Sequence, residues 1–109
     1  MPESDFSIIV TVQAEAELIG VLDYISNVFY AKETAERILA KITKGFTQLK
    51  AFPHSAPLMD EPEYSGFGIH RLVVSNFSIF YCINEKKSQV EILHVLHGMQ
   101  DYTLKLGKM

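Results

Sequence analysis

Residues 68–102 read GIHRLVVSNFSIFYCINEKKSQVEILHVLHGMQDY, and their pattern decides the fold. Three apolar runs follow one another. The first closes on Val73 and Val74, Ser75 and Asn76 turn the chain, and residues 77–83 form the second; residues 84–88 turn it again before residues 89–96 form the third. Connections this short join antiparallel neighbours. In the second run, alternation puts Phe77, Ile79, Tyr81 and Ile83 on one face and Ser78, Phe80 and Cys82 on the other. Both faces are largely apolar, which predicts a central strand. The same period in the third run groups Val90, Ile92, His94 and Leu96 against Glu91, Leu93, Val95 and His97. Its polar groups gather toward Gly98, so chemistry is expected in that corner and at Arg71.

Upstream, residues 7–12 (SIIVTV) are a β-branched run that reads as a first strand. Thr11 is a candidate helix N-cap, and Glu15 and Glu17 suit the positive end of the helix dipole that follows. Leu18, Leu22, Ile25 and Phe29 recur at helical spacing, with Ile19, Val21 and Val28 widening the stripe, so a core-facing helix is expected. After a break near Tyr30 and Ala31, a second helical pattern runs through Ala35, Ile38, Leu39, Ile42, Phe46 and Leu49 to Phe52, where Pro53 stops it. Gly45 inside this pattern costs roughly 1 kcal/mol relative to alanine. The short connection makes the two helices an antiparallel hairpin. Residues 53–66 hold three prolines and read as a surface loop, a connector from helices to sheet. The order is β-α-α-β-β-β, an α+β domain with a helical hairpin packed on a mainly antiparallel sheet.

The chain has 109 residues, 48% of them hydrophobic and 21% charged, which suits a single folded domain with its own core across residues 1–109. Ten Lys plus Arg against thirteen Asp plus Glu give a net charge of −3. That balance argues against holding nucleic acid mainly by neutralising phosphates. Residues 31–50 run against the trend: Lys32, Arg37, Lys41, Lys44 and Lys50 outnumber Glu33 and Glu36. This basic stretch reads as a solvated helix face or as a surface for an acidic partner. A lone cysteine, Cys82, in the expected central strand reads as an inert buried thiol in a reducing compartment. The opening MPESDF lacks the basic flank and length of a signal peptide or membrane span, so a cytoplasmic protein is expected.

Four stretches, SIIVTVQAEAELIGVLDYI, FTQLKAFPHSAP, HRLVVSNFSIFYCI and above all VEILHVLHGMQDY, together resemble the RelE/ParE superfamily of toxins from bacterial type II toxin–antitoxin (plasmid stabilisation) systems. The likeness covers nearly the whole chain in order. It implies the fold just derived and a cognate antitoxin partner that wraps the sheet and helices. ILHVLHGMQDY looks more like the ParE branch, which poisons DNA gyrase by binding. The RelE branch instead cuts messenger RNA on the ribosome by 2′-hydroxyl attack. A third possibility is a non-toxic module that keeps only the antitoxin-binding surface.

The resemblance names candidate catalytic residues for the nuclease case: Arg71, His97 and Tyr102. Arg71 matches a strand arginine that stabilises phosphate charge; its structural alternative is an ion pair with an acid such as Asp101. His97 lies near a histidine that serves one nuclease subgroup as acid or base. Gly98 follows it where that subgroup has tyrosine, and Met99 and Gln100 replace basic residues. The alternative for this corner is a fixed turn, with His97 and Asp101 bonding to backbone around Gly98. Tyr102 is the more exposed tyrosine, whereas Tyr81 is expected to pack in the core. No cofactor is expected; His94 and His97 are three apart on a strand and point to opposite faces, so no metal site is expected either.

Overall fold

The computed structural model describes residues 5–28, 30–59 and 66–97. Its elements are β1 (Ser7–Val10), α1 (Val12–Asp23), α2 (Lys32–Ala51), β2 (His70–Val74), β3 (Phe77–Asn84) and β4 (Gln89–His97). They form one four-stranded sheet in the order β1-β4-β3-β2, with β1 parallel to β4 and the other pairs antiparallel. The sheet is mixed, mainly antiparallel, and the helices lie over one face. The expected α+β order is the observed one.

Local chemistry accounts for the boundaries. Thr11 is extended and accepts the Ala14 N–H on its side-chain oxygen at 3.1 Å, which starts α1. A π-helical turn, Tyr24–Val28, continues α1. Tyr30 then takes a left-handed conformation (φ 53°), which breaks the helical path before α2. Ala14 is buried, and Leu18, Val21, Leu22 and Ile25 are half-buried. Ile19 and Val28 are 58% and 54% exposed, so the core stripe of this helix is narrower than its apolar sequence suggested. Phe29 lies outside the described residues.

The helix face of the sheet carries the main core: Ala14, Ile42 and Leu49 from the helices meet Phe77, Ile79, Tyr81, Val90, Ile92 and Val95 from β3 and β4. A smaller cluster of Met59, Ile69, Phe80 and Leu96 covers the other face, with Cys82 and Leu93 against it. Phe80 and Tyr81 are both fully buried although they point oppositely, as a central strand requires. Each such aromatic or aliphatic side chain contributes about 1.5–3 kcal/mol by leaving water.

One extra residue changes the third run. Phe80 pairs with His94 but Tyr81 pairs with Ile92, so Leu93 bulges out of register. Beyond the bulge the alternation inverts: Val95 and His97 pair with Ile79 and Phe77 on the helix face, while Leu96 pairs with Ser78 on the opposite one. The uninterrupted alternation expected for residues 89–96 therefore holds only up to Ile92.

Residues 53–59 are also more than a surface connector. Pro53, Ala56 and Met59 are buried, and the segment pairs along the outer edge of β2, with Met59 N–H to Ile69 C=O at 2.8 Å and Arg71 N–H to Pro57 C=O at 3.1 Å. Buried backbone needs such partners, so the prolines here accompany anchoring. Residues 60–65 lie outside the described residues.

Gly45 has a packing reason that outweighs its helix propensity. A Cβ there would stand 3.0 Å from Val74 Cγ2 and 3.4 Å from Leu72 Cδ2, so its absence lets α2 approach β2 closely. Replacing it with a large side chain, Gly45→Leu, should cost about 1–3 kcal/mol by overpacking. Chemical denaturation of the two proteins measures this, and an unchanged or raised midpoint would contradict the close-approach account.

Candidate functional site

Arg71 sits in β2, half-buried, where its Nε donates to Ser78 Oγ at 3.0 Å. It pairs with Phe80 across the ladder, and so belongs to the sheet face that looks away from the helices. His97 ends β4 opposite Phe77, with its ring edge-on to the phenyl ring at 5.0 Å and Asn76 Nδ2 at 3.4 Å from its Nε2. Phe77 belongs to the helix-face core. The bulge at Leu93 therefore leaves Arg71 and His97 on opposite faces of the sheet. Tyr102 and Asp101, and the turn expected around Gly98, lie outside the described residues.

Beside Arg71 runs a groove of about 410 Å³ between residues 55–59 and residues 71–73. Its walls are Ser55, Ala56, Pro57, Leu58 and Met59 on one side and Arg71, Leu72 and Val73 on the other. Arg71 is its one ionisable side chain among these lining residues. Such a surface can bind through backbone and apolar contacts, and it presents no acid–base pair. Among the described residues no three His, Cys, Asp or Glu side chains are grouped to hold a metal ion. No helix of the described residues is long and apolar enough to cross a membrane.

Two polar arrangements were not anticipated from the residues. In the first, His70 is buried, donates from Nδ1 to the Ala56 carbonyl at 2.8 Å and stacks on Tyr81 with ring centroids 5.0 Å apart. Tyr81 packs in the core as expected, and its hydroxyl donates to the Pro53 carbonyl at 2.8 Å. Burial pushes its phenol above the ordinary value. These bonds fasten the 53–56 segment to the sheet. The neighbouring His54–Glu85 pair, at 2.7 Å, is well exposed and adds little to stability.

In the second, Glu17 of α1 reaches β4. Its Oε1 accepts the Val95 N–H at 3.0 Å and its Oε2 lies 2.9 Å from His94 Nδ1, with both side chains only 10% exposed. A carboxylate can only accept, so Nδ1 carries the proton. The acidic first turn of α1 was legible as a dipole effect; the role of Glu17 as a β4 ligand had no signal in the residues. Cys82 is half-buried, with its Sγ 3.9 Å from the Phe67 carbonyl. Burial, then the charge of Glu91, pushes its thiol up, which agrees with low reactivity while correcting full burial. On α2, Arg37, Lys41 and Lys44 are exposed on the side away from Ile42 and Leu49.

Removing the Glu17 carboxylate leaves a backbone donor and an imidazole without their acceptor. Glu17→Ala should therefore cost about 3 kcal/mol, and Glu17→Gln, which keeps one oxygen acceptor, distinctly less. Equilibrium unfolding of the three proteins gives the comparison, and equal stability of Glu17→Ala and the parent would remove Glu17 from the account.

The whole fold has known counterparts. The chromosomal ParDE toxin–antitoxin system from P. aeruginosa matches with a TM-score of 0.66 at 19% identity, over 84% of this chain and 95% of that one. The RelBE2 toxin–antitoxin complex from Mycobacterium tuberculosis matches with a TM-score of 0.65 at 20% identity, over 87% of this chain and 93% of that one. At these identities the likeness is one of fold. Comparison with curated protein sequences gives no significant match. The family model for the ParE toxin of the type II toxin–antitoxin system parDE matches residues 8–102, nearly the whole length, and the chain belongs to that family.

Proposed function

We propose that this chain is the toxin of a type II pair that acts on DNA gyrase by binding, without making or breaking a covalent bond itself, and that a cognate antitoxin neutralises it. The observation that carries this reading is the separation of Arg71 and His97 onto opposite faces of the sheet. In-line attack of a 2′-hydroxyl needs a phosphate stabiliser and an acid or base converging on one reacting centre. The sheet of this chain lies between those two groups. The acidic net charge of −3 points the same way, because a protein docking on ribosomal RNA gains from a strong cationic excess. The ParDE and RelBE2 neighbours are toxin–antitoxin complexes, which supports an antitoxin partner here.

Purified gyrase, plasmid and ATP, titrated with this protein, provide the test. Loss of supercoiling with accumulation of linear DNA is expected. Unaffected gyrase together with messenger RNA cleavage in a reconstituted translation reaction would overturn the reading in favour of the nuclease branch.

A further inference from the structure

Both edges of the sheet are strand edges, and they differ in how they are covered. At β2 the chain pairs with itself through residues 57–59. At β1 it does not. The N–H groups of Ser7 and Thr11 bond to the Ser88 and Ile92 carbonyls on the β4 side, at 2.9 and 3.1 Å. By the alternation of a strand, the N–H and C=O groups of Ile8 and Val10 face outward, and among the described residues nothing bonds to them. The open stretch is bounded at its start, where Phe6 N–H bonds to the Lys50 carbonyl at 2.9 Å, and at its end by the cap of α1.

This edge also lacks the usual guards. No residue from Phe6 to Val12 is charged, none is proline, and β1 has no bulge. Ile9 and Val10 are each 39% exposed and Val12 is 84% exposed. Unprotected edges of this kind recruit another extended chain.

We propose that β1 is a self-pairing edge: two copies of this chain associate antiparallel through β1 about a two-fold axis at Ile9, forming a continuous eight-stranded sheet. The occupant follows from the spacing of the open groups. With Ile9 opposite its symmetry mate, Ile8 of each copy faces Val10 of the other, and each such pair exchanges two hydrogen bonds. All the outward groups of Ile8 and Val10 are then satisfied by their own copies in the second chain, with no register left over. Closed two-fold pairing of one patch with itself is also the commonest form of homo-oligomer. The contact is small, so the dimer is weak and forms with rising concentration. The proposal is independent of the toxin's target.

Sedimentation of the purified full chain over a concentration series up to about 1 mM tests it, since weak homodimers dissociate in the micromolar to millimolar range. Val10→Pro deletes an outward N–H and leaves the bonds to β4 in place, because the Val10 N–H points away from them. Ile9→Lys sets like charges face to face on the axis, while its in-chain neighbour is Glu91, a favourable partner within the monomer. Folding of each variant is checked by circular dichroism, and Ile9→Lys carries the test if the proline variant does not fold. The expected result is a concentration-dependent dimer for the parent and dimerisation weakened by about tenfold or more in the folded variants. A parent that stays monomeric throughout, or folded variants that dimerise as well as the parent, would overturn the proposal.

Discussion

The bulge at Leu93, with the α1 groups that hold it, is the constraint on which the rest depends. A bulge frees backbone groups from the ladder and turns the strand. Here the start of α1 covers that stretch of β4: the N-cap Thr11 donates from Oγ1 to the Leu93 carbonyl at 3.3 Å, and Glu17 accepts the Val95 N–H. One threonine thus ends β1, caps α1 and binds β4. The edge of β4 left uncovered where β1 stops is closed by a helix side chain, which lets a four-residue strand begin a parallel pair. Val95 can then return to the helix-face core against Ile79, and Leu96 to the opposite cluster.

The same irregularity governs what the chain can do chemically. Had alternation run unbroken through β4, His97 would share a face with Leu93, and its relation to Arg71 would differ. With Leu93 extruded, His97 lies against Phe77 beside the core while Arg71 bonds to Ser78 on the far side. The groove beside Arg71 offers main chain and apolar wall, a surface suited to holding another polypeptide. The ionisable groups that are well buried, His70, Tyr81, His94 and Glu17, are committed to backbone or to each other. They build the fold, and their bonds commit them to it rather than to chemistry at the surface.

Much of this was legible in the residues because it rests on local rules. Two-sided apolarity marked β3 as central, Thr11 announced the start of α1, and Pro53 the end of α2. The bulge was not legible: Leu93 is one apolar residue among several, and its extrusion depends on Thr11 and Glu17 some eighty positions away. Gly45 read as a helix defect because propensity is local, whereas its reason is Val74 across the interface. Residues 53–59 read as a plain loop because prolines signal turns, and the bonds from His70 and Tyr81 that fix the segment come from another part of the chain. At the candidate site, the likeness to a toxin family singled out Arg71 and His97, but only strand register could say that they face apart.

The most direct test of the account is growth of a bacterium expressing the chain without antitoxin, comparing the parent with the doubly substituted Arg71→Gln, His97→Gln protein after circular dichroism confirms that both fold. If the chain acts by binding, the double variant still arrests growth and still yields linear DNA with gyrase. Loss of arrest in a folded double variant, together with loss of messenger RNA cleavage that the parent performs, would contradict the account and make the two faces of the sheet parts of one catalytic surface.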